Sequence, residues 1–355
     1  MFCCSYFNNT GDVMSSHALC FDDVLLRPRY SDIESRSEID LSVSVSNTDS
    51  KLSVPIISSP MDTVTEENMA LGIYSAGGLG IIHRYNDVKT QSSLVESAVK
   101  SIPDALVGAA IGVSGGYIER AQALVRAGAR VICVDIAHGH HMMMRHTLRV
   151  LRNTFGTSIH IMAGNVATRE GFDDLAAWGA DSVRVGIGGG SICSTRIKTG
   201  HGAPTLQSVI DCASSEHAGS VLIVADGGIR TSGDIVKALA GGADVVMLGS
   251  LLAGTKEAPG EVIYKNGLMH KAYRGMASAE AQIDWRGHTA SLEGVSTILS
   301  CKGNVAEVVD DLVRGIRSGL SYSGAKSISD LQSKSDFIEV SHSSIDESST
   351  HIFNS

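Results

Sequence analysis

Cys193 closes a glycine-rich loop, Gly186-Ile187-Gly188-Gly189-Gly190-Ser191-Ile192-Cys193, that directly follows a strand-like run over 182–187. Four glycines in five positions let the backbone turn tightly and bring its N–H groups close to a ligand. A cysteine among such donors can be held as a thiolate, the nucleophilic form. A glycine-rich turn with an incidental buried thiol is the plainer reading of the same spacing. Asp226-Gly227-Gly228-Ile229-Arg230 and Gly249-Ser250 close two later strand-like runs. Paired glycine turns there suit a phosphate cradle of backbone N–H groups, or else only tight connections. A carboxylate would repel a phosphate, so Asp226 is expected to accept ribose hydroxyls. Asp135 and His138 follow another strand, with His140 and His141 beyond them. The three histidines lack a placed carboxylate or cysteine to complete a metal set, which favours a solvated loop. Ser58-Ser59-Pro60-Met61-Asp62 ends the first strand, and the Met61 thioether could pack on a flat ring. By residue type alone, Met61 reads as core and Glu293 as a solvated surface charge.

These residues need elements to carry them. Short apolar, β-branched runs recur over 54–58, 80–83, 106–111, 131–136, 158–163, 182–187, 221–225 and 245–248. Most gaps hold a helix-like segment; Ile118, Ala121, Leu124 and Val125 share one face. Ala127-Gly128-Ala129, Trp178-Gly179-Ala180 and Gly241-Gly242-Ala243 each carry a glycine after a last helical turn and lead straight into a strand. Eight strand–helix units with short connections predict an α/β fold, a closed (β/α)8 TIM barrel, over the alternative of an open doubly wound sheet. The reactive residue types, Asn165 among them, fall just after strands, which a barrel gathers on one rim. Residues 1–50 form an N-terminal flanking segment. Residues 256–300 form a long excursion after the eighth strand, with a hairpin turning at Asn266-Gly267 and then a mobile lid. The expected organisation is one catalytic domain over 1–355, with a flexible tail over 340–355.

The chain has 355 residues, 43% of them hydrophobic, and a net charge of −9. That balance, without a basic run, argues against nucleic-acid or anionic-membrane partners. Seven cysteines show no paired framework, so a reducing cytoplasm fits best. There is no basic-then-apolar leader pattern and no run of about 18 apolar residues.

With these motifs in view, the chain resembles the IMP dehydrogenase/GMP reductase family. The resemblance runs from Phe21-Asp22-Asp23-Val24-Leu25-Leu26 to Tyr322-Ser323-Gly324-Ala325. It rests on Met61-Asp62-Thr63-Val64-Thr65, Gly77-Gly78-Leu79-Gly80-Ile81-Ile82-His83, Ala163-Gly164-Asn165-Val166, the Gly186–Thr195 loop, Asp226-Gly227-Gly228-Ile229-Arg230 and Tyr273-Arg274-Gly275-Met276. It implies a homotetrameric barrel acting at purine C2 of GMP or IMP with a nicotinamide cofactor, NADPH or NAD. It implies Cys193 as the nucleophile, with Thr195 and Glu293 handling ammonia departure in the reductase branch. The nucleotide is then expected against Ser58, Met61, Gly190, Ser191, Asp226, Gly227, Gly228, Gly249, Ser250, Tyr273, Gly275, Met276 and Ala277. The cofactor is expected against Asp135, His138 and Asn165. A potassium ion held by the carbonyls of Gly188, Gly190 and Cys193 is implied by the resemblance alone.

The reductase reading, GMP to IMP and ammonia, draws on the short stretch from His83 to Leu106, which has no room for a CBS regulatory insertion. It draws also on Thr195-Arg196-Ile197-Lys198-Thr199-Gly200, on Glu293-Gly294, on a lid without an Arg-Tyr pair, and on His351-Ile352-Phe353-Asn354. The dehydrogenase reading, IMP to XMP, draws on Tyr273–Met276, Asp135–His140, the stretch 226–260, and Arg286 as a candidate water-activating base. Gly189, Arg184 and Ala277 depart from both patterns. A flavin-binding barrel and a non-catalytic nucleotide-binding barrel are the rival classes; the Cys193 loop speaks against both.

Overall fold

The structure is a computed structural model and describes residues 17–341 and 343–348. Eight parallel strands close into a barrel in chain order: β1 (Ile56–Ser58), β2 (Leu79–Ile82), β3 (Val107–Ile111), β4 (Val131–Asp135), β5 (His160–Val166), β6 (Ser182–Val185), β7 (Leu222–Asp226) and β8 (Val245–Leu248). Closure is direct, with Val246 of β8 in register with Ile56 of β1. These are the eight runs expected from the sequence, shifted by one to three residues at some ends. Their side chains are almost wholly buried because both faces are covered, inside by the barrel core and outside by helices.

The glycine signals act as read. Gly128, Gly179 and Gly242 have φ of +109°, +107° and +110°. In each case the following alanine N–H returns to the helix, as from Ala129 to Leu124 at 3.0 Å. Helix Met142–Phe155 starts after His141, whose ring accepts the Met143 N–H, so this histidine serves as a helix cap.

The flanking segment is more built than its polarity suggested. Val43–Val45 and Ser50–Leu52 pair antiparallel, and Ile39, Leu41, Val45 and Leu52 are buried. The hairpin tip plugs the base of the barrel. Arg130 donates to the Thr48 carbonyl at 2.6 Å, Asn47 to Asp181 at 2.9 Å, and the His160 ring meets the Ser46 carbonyl at 3.0 Å. Val24–Leu26 pairs antiparallel with Phe337–Glu339, joining two stretches more than 300 residues apart in sequence. Of the stretch expected to be a flexible tail, the Val340 N–H bonds the Asp23 carbonyl and Ser344–Glu347 forms one helical turn. His351–Asn354 lies outside the described residues.

The excursion after β8 contains the expected hairpin, Ile263–Lys265 with Leu268–Arg274, turning at Asn266 and Gly267 with φ of 52° and 77°. Two elements in it went unread. Ser296–Ser300 adds a third strand to the hairpin, and Ala279–Arg286 is a helix capped by Ser278. Helix Val305–Tyr322 then returns to complete the outer ring.

Candidate active site

Every strand presents its C-terminal end to the same rim, and the loops there hold the candidate residues. The Cys193 loop is stitched to the lid segment as a strand-like pair. Cys193 bridges Gly294 antiparallel, the Ser194 N–H donates to the Glu293 carbonyl at 2.8 Å, and the Val295 N–H to the Ile192 carbonyl at 3.0 Å. This pairing sets up a line of side chains. The Cys193 thiol donates to Thr195 Oγ1 at 3.2 Å, Thr195 donates to Glu293 Oε2 at 2.8 Å, and Ser291 donates to Glu293 Oε1 at 2.8 Å. Residues 98 positions apart thus form one proton path from sulfur to carboxylate.

The glycine loop leans on the turn after β7. Gly186 has φ +146°, and a Cβ there would come within 1.9 Å of the Asp226 carbonyl oxygen; Gly227 has φ +97° and lies against Gly190. Only glycine allows both the dihedral and the contact. Across the rim, a Cβ on Gly249 would meet Tyr273 Oη at 2.9 Å, Ser59 Oγ at 3.1 Å and Met61 Sδ at 3.5 Å. The side chains of Ser191 and Ser250 lie close to the buried Tyr273 hydroxyl. Ser191, Gly249, Ser250 and Tyr273 therefore lie together on one part of the rim. Gly228 follows on the neighbouring turn. Met276 packs its sulfur on the Asp62 N–H at 3.4 Å. Gly275 donates to the Val295 carbonyl, and Ala277 lies beside Gly294.

Ser58 needs a correction. It is fully buried, and its hydroxyl takes a hydrogen bond from Thr65 at 2.8 Å. Successive residues of a strand face opposite sides, so Ser59, not Ser58, meets Gly249 and Met61.

The sequence reading missed the charged hub. Arg184 is 6% exposed and its guanidinium spans two carboxylates, Asp135 Oδ1 at 2.6 Å and Asp226 Oδ2 at 2.9 Å. Gly164 lies in register between Asp135 and Arg184; a Cβ there would strike Arg184, so its bare backbone leaves the space. Burial alone would raise the Asp135 carboxyl, but Arg184 and Arg84 outweigh it and hold it below the usual aspartate range. Burial likewise opposes the charge on Arg184, and the carboxylates of Asp226 and Asp135 more than restore it. Asn165 donates to Gly186 O and Asp226 Oδ2, each at 2.8 Å, which leaves its amide oxygen as an acceptor. The hydrogen bonds to Asp226 fall on Oδ2, so Oδ1 remains for a hydroxyl donor. A lone charge inside an apolar strand was the signal for Arg184.

Asp135 also accepts from Arg84 and Tyr85 at 3.4 Å each. The Tyr85 ring meets Trp285 of the lid helix edge-on at 5.5 Å, and Arg286 stacks on Trp285 at 4.5 Å. Arg274 ties the same helix down, bonding Asp62 at 2.7 Å and Asp284 at 2.5 Å. His138 is exposed on the rim; burial of part of its ring and the neighbouring His140, His141 and His201 lower its pKa. His140 is held by Asp174 at 2.7 Å. Cys133 lies below the rim at 3.6 Å from Arg184, and burial pushes its thiol up to about 12, the mark of an inert cysteine.

Comparison with known proteins places this geometry. A family model described as IMP dehydrogenase / GMP reductase domain matches residues 18–351. The chain is 35% identical to an inosine-5′-monophosphate dehydrogenase of Nitrosopumilus maritimus, over 94% of this chain and 98% of that one. It is 46% identical to a GMP reductase of Leishmania major over 69% of this chain and 52% of the relative. Among solved structures, a cysteine-to-alanine variant of GMP reductase from Trypanosoma brucei, in complex with guanosine 5′-monophosphate, superposes with a TM-score of 0.89. Its identity is 30%, covering 97% of this chain and 99% of that one.

Proposed function

The chain belongs to the IMP dehydrogenase/GMP reductase family of oxidoreductases, and from that premise we propose that it is a GMP reductase. The observation that carries this reading is the line Cys193–Thr195–Glu293. A nucleophile with a hydroxyl and a carboxylate in series is suited to expel an amine, which must gain a proton as it leaves.

The Cys193 sulfur adds to purine C2 of GMP, the bond from C2 to the exocyclic nitrogen breaks, and the nitrogen leaves as ammonia. Thr195 relays a proton between Glu293 and the departing nitrogen. The product is a thioimidate on Cys193. NADPH, when bound, supplies a hydride to C2; the C–S bond then breaks and returns the thiolate and IMP. Ser191, Gly228, Gly249, Ser250 and Tyr273 hold the phosphate, Asp226 Oδ1 accepts a ribose hydroxyl, and Met61 lies along the purine. Asp135 and the Asn165 amide oxygen are acceptors for the cofactor's ribose and carboxamide, with His138 at the outer edge. Gly188, Gly190 and Cys193 offer carbonyl oxygens of the type potassium takes; Gly190 keeps a lone pair after accepting the Cys193 N–H. The whole is one catalytic domain with a lid over 256–300, acting in the cytoplasm as a homotetramer.

The alternative is an IMP dehydrogenase using NAD, favoured by the near full-length match, at 35% identity, to the dehydrogenase of Nitrosopumilus maritimus. Against it, the Arg286 guanidinium is engaged on Trp285. One pair of assays decides. With GMP and NADPH the reduced-nicotinamide absorbance falls for a reductase; with IMP and NAD it rises for a dehydrogenase. A rise in the second tube with none lost in the first overturns the proposal.

A further inference from the structure

Glu293 follows a stretch, 287–292, whose residues are all exposed. Such a segment has no packing of its own to fix a carboxylate, yet Glu293 sits at 2.8 Å from Thr195. The Glu293 backbone is held by the ladder to the Cys193 loop, and the stretch before it, which carries the second partner of its carboxylate, is ordered by one side chain. Gln282 of the lid helix is 1% exposed. Its amide nitrogen donates to the Ala277 carbonyl at 3.0 Å and to the Ser291 carbonyl at 2.8 Å. Its amide oxygen accepts the Ala290 N–H at 2.6 Å. Three bonds from one buried amide close the segment across its base, and Ser291, so held, donates to Glu293 Oε1. A side-chain amide, with its donors and acceptor on one plane, can satisfy both signs of backbone group at once. An apolar residue of equal size would leave two carbonyls and an N–H unpaired.

We propose that Gln282 is a positioning residue for amine expulsion: it clasps 290–291, keeps Ser291 on Glu293 Oε1 and thereby orients the carboxylate toward Thr195. This rests on the role given to Glu293 above. It goes beyond that role in assigning the carboxylate's placement to a residue that touches neither nucleotide nor cofactor. It also predicts which chemical step depends on the clasp. Expulsion of ammonia needs the Thr195–Glu293 path. Forming the same thioimidate from IMP and NADP⁺ does not, because C2 then loses a hydride and no amine departs.

The test uses the full chain as Gln282→Met, Ser291→Ala and Glu293→Gln. In Gln282→Met, amide exchange at Ala290 should quicken at least about tenfold while the barrel amides stay protected. The kcat for GMP with NADPH should fall about 10- to 100-fold, with KM for GMP within about twofold, since misplacing a proton-transfer group costs rate rather than binding. The single-turnover oxidation of IMP by NADP⁺ should stay within about twofold. Ser291→Ala changes an exposed hydroxyl without threatening the fold, and should show the same split at smaller size. Equal slowing of both reactions, a loss confined to KM, or unchanged GMP turnover in Gln282→Met overturns the inference. Glu293→Gln separates the failures. If it is slow with GMP while Gln282→Met is not, only the clasp is wrong. If it turns over GMP at the parental rate, the role of Glu293 falls and the clasp with it.

Discussion

The two ends of the barrel are made by the same eight strands and solved by different means. At the base, a hairpin seals the opening with Val43, Val45 and Leu52 and a few side chain-to-backbone bonds at its tip. At the rim, the opening is left to glycine turns and filled with charge: Arg84, Asp135, Arg184 and Asp226 in one hydrogen-bonded set. A buried charge set is poor value as a stabiliser compared with well-packed apolar residues. Its retention at one end, next to an apolar plug at the other, marks the rim as the place where stability was traded for recognition.

Three changes sharpen that contrast, from the largest effect down. Cys193→Ala should remove turnover by about a thousandfold or more, because no other rim group can form the adduct; calorimetric titration should show GMP still binding. A variant that kept full rate would leave the rim without its nucleophile. Arg184→Met should lower stability by about 3–5 kcal/mol, since it leaves Asp226 with only the neutral Asn165 amide and Asp135 with Arg84 alone as its cation. The unfolding midpoint should fall by roughly 4–7 °C, and a loss near zero would mean the hub is wetter than its burial implies. At the base the sign reverses. Asp244, just before β8, accepts the Ile223 N–H at 2.8 Å, and burial pushes its carboxyl from 3.8 up to about 6. A carboxyl whose folded pKa is raised contributes stability at low pH that is lost as pH rises from about 4 to about 6. Asp244→Asn should therefore gain about 1–2 kcal/mol above pH 6, with the gain fading below pH 4. A gain independent of pH would exclude this cause.

The base and the rim also differ in how far the sequence revealed them. The strands, the Gly128, Gly179 and Gly242 stops, the Asn266-Gly267 turn and the Cys193 loop are local signals, each set by a dihedral or a periodicity within a few residues. Arg184 was visible only as an oddity, because its partners Asp135 and Asp226 lie 49 and 42 positions away. The plug was read as polar flank because Ile39, Leu41, Val43 and Val45 alternate with polar residues, and only the barrel base shows why they are buried. Ser58 and Ser59 could not be told apart without the phase of β1. Gln282 gave no signal at all, since its three partners are backbone groups and its helix was itself unread.

The antiparallel bridge between Cys193 and Gly294 has one more consequence. Loop and lid share a ladder, so the lid cannot swing away without pulling the backbone bonds that anchor the sulfur. The sulfur is already partly exposed with the ladder formed, so a small electrophile can reach it without any opening. Opening would instead change the backbone that aims the thiol, and with it the direction of attack.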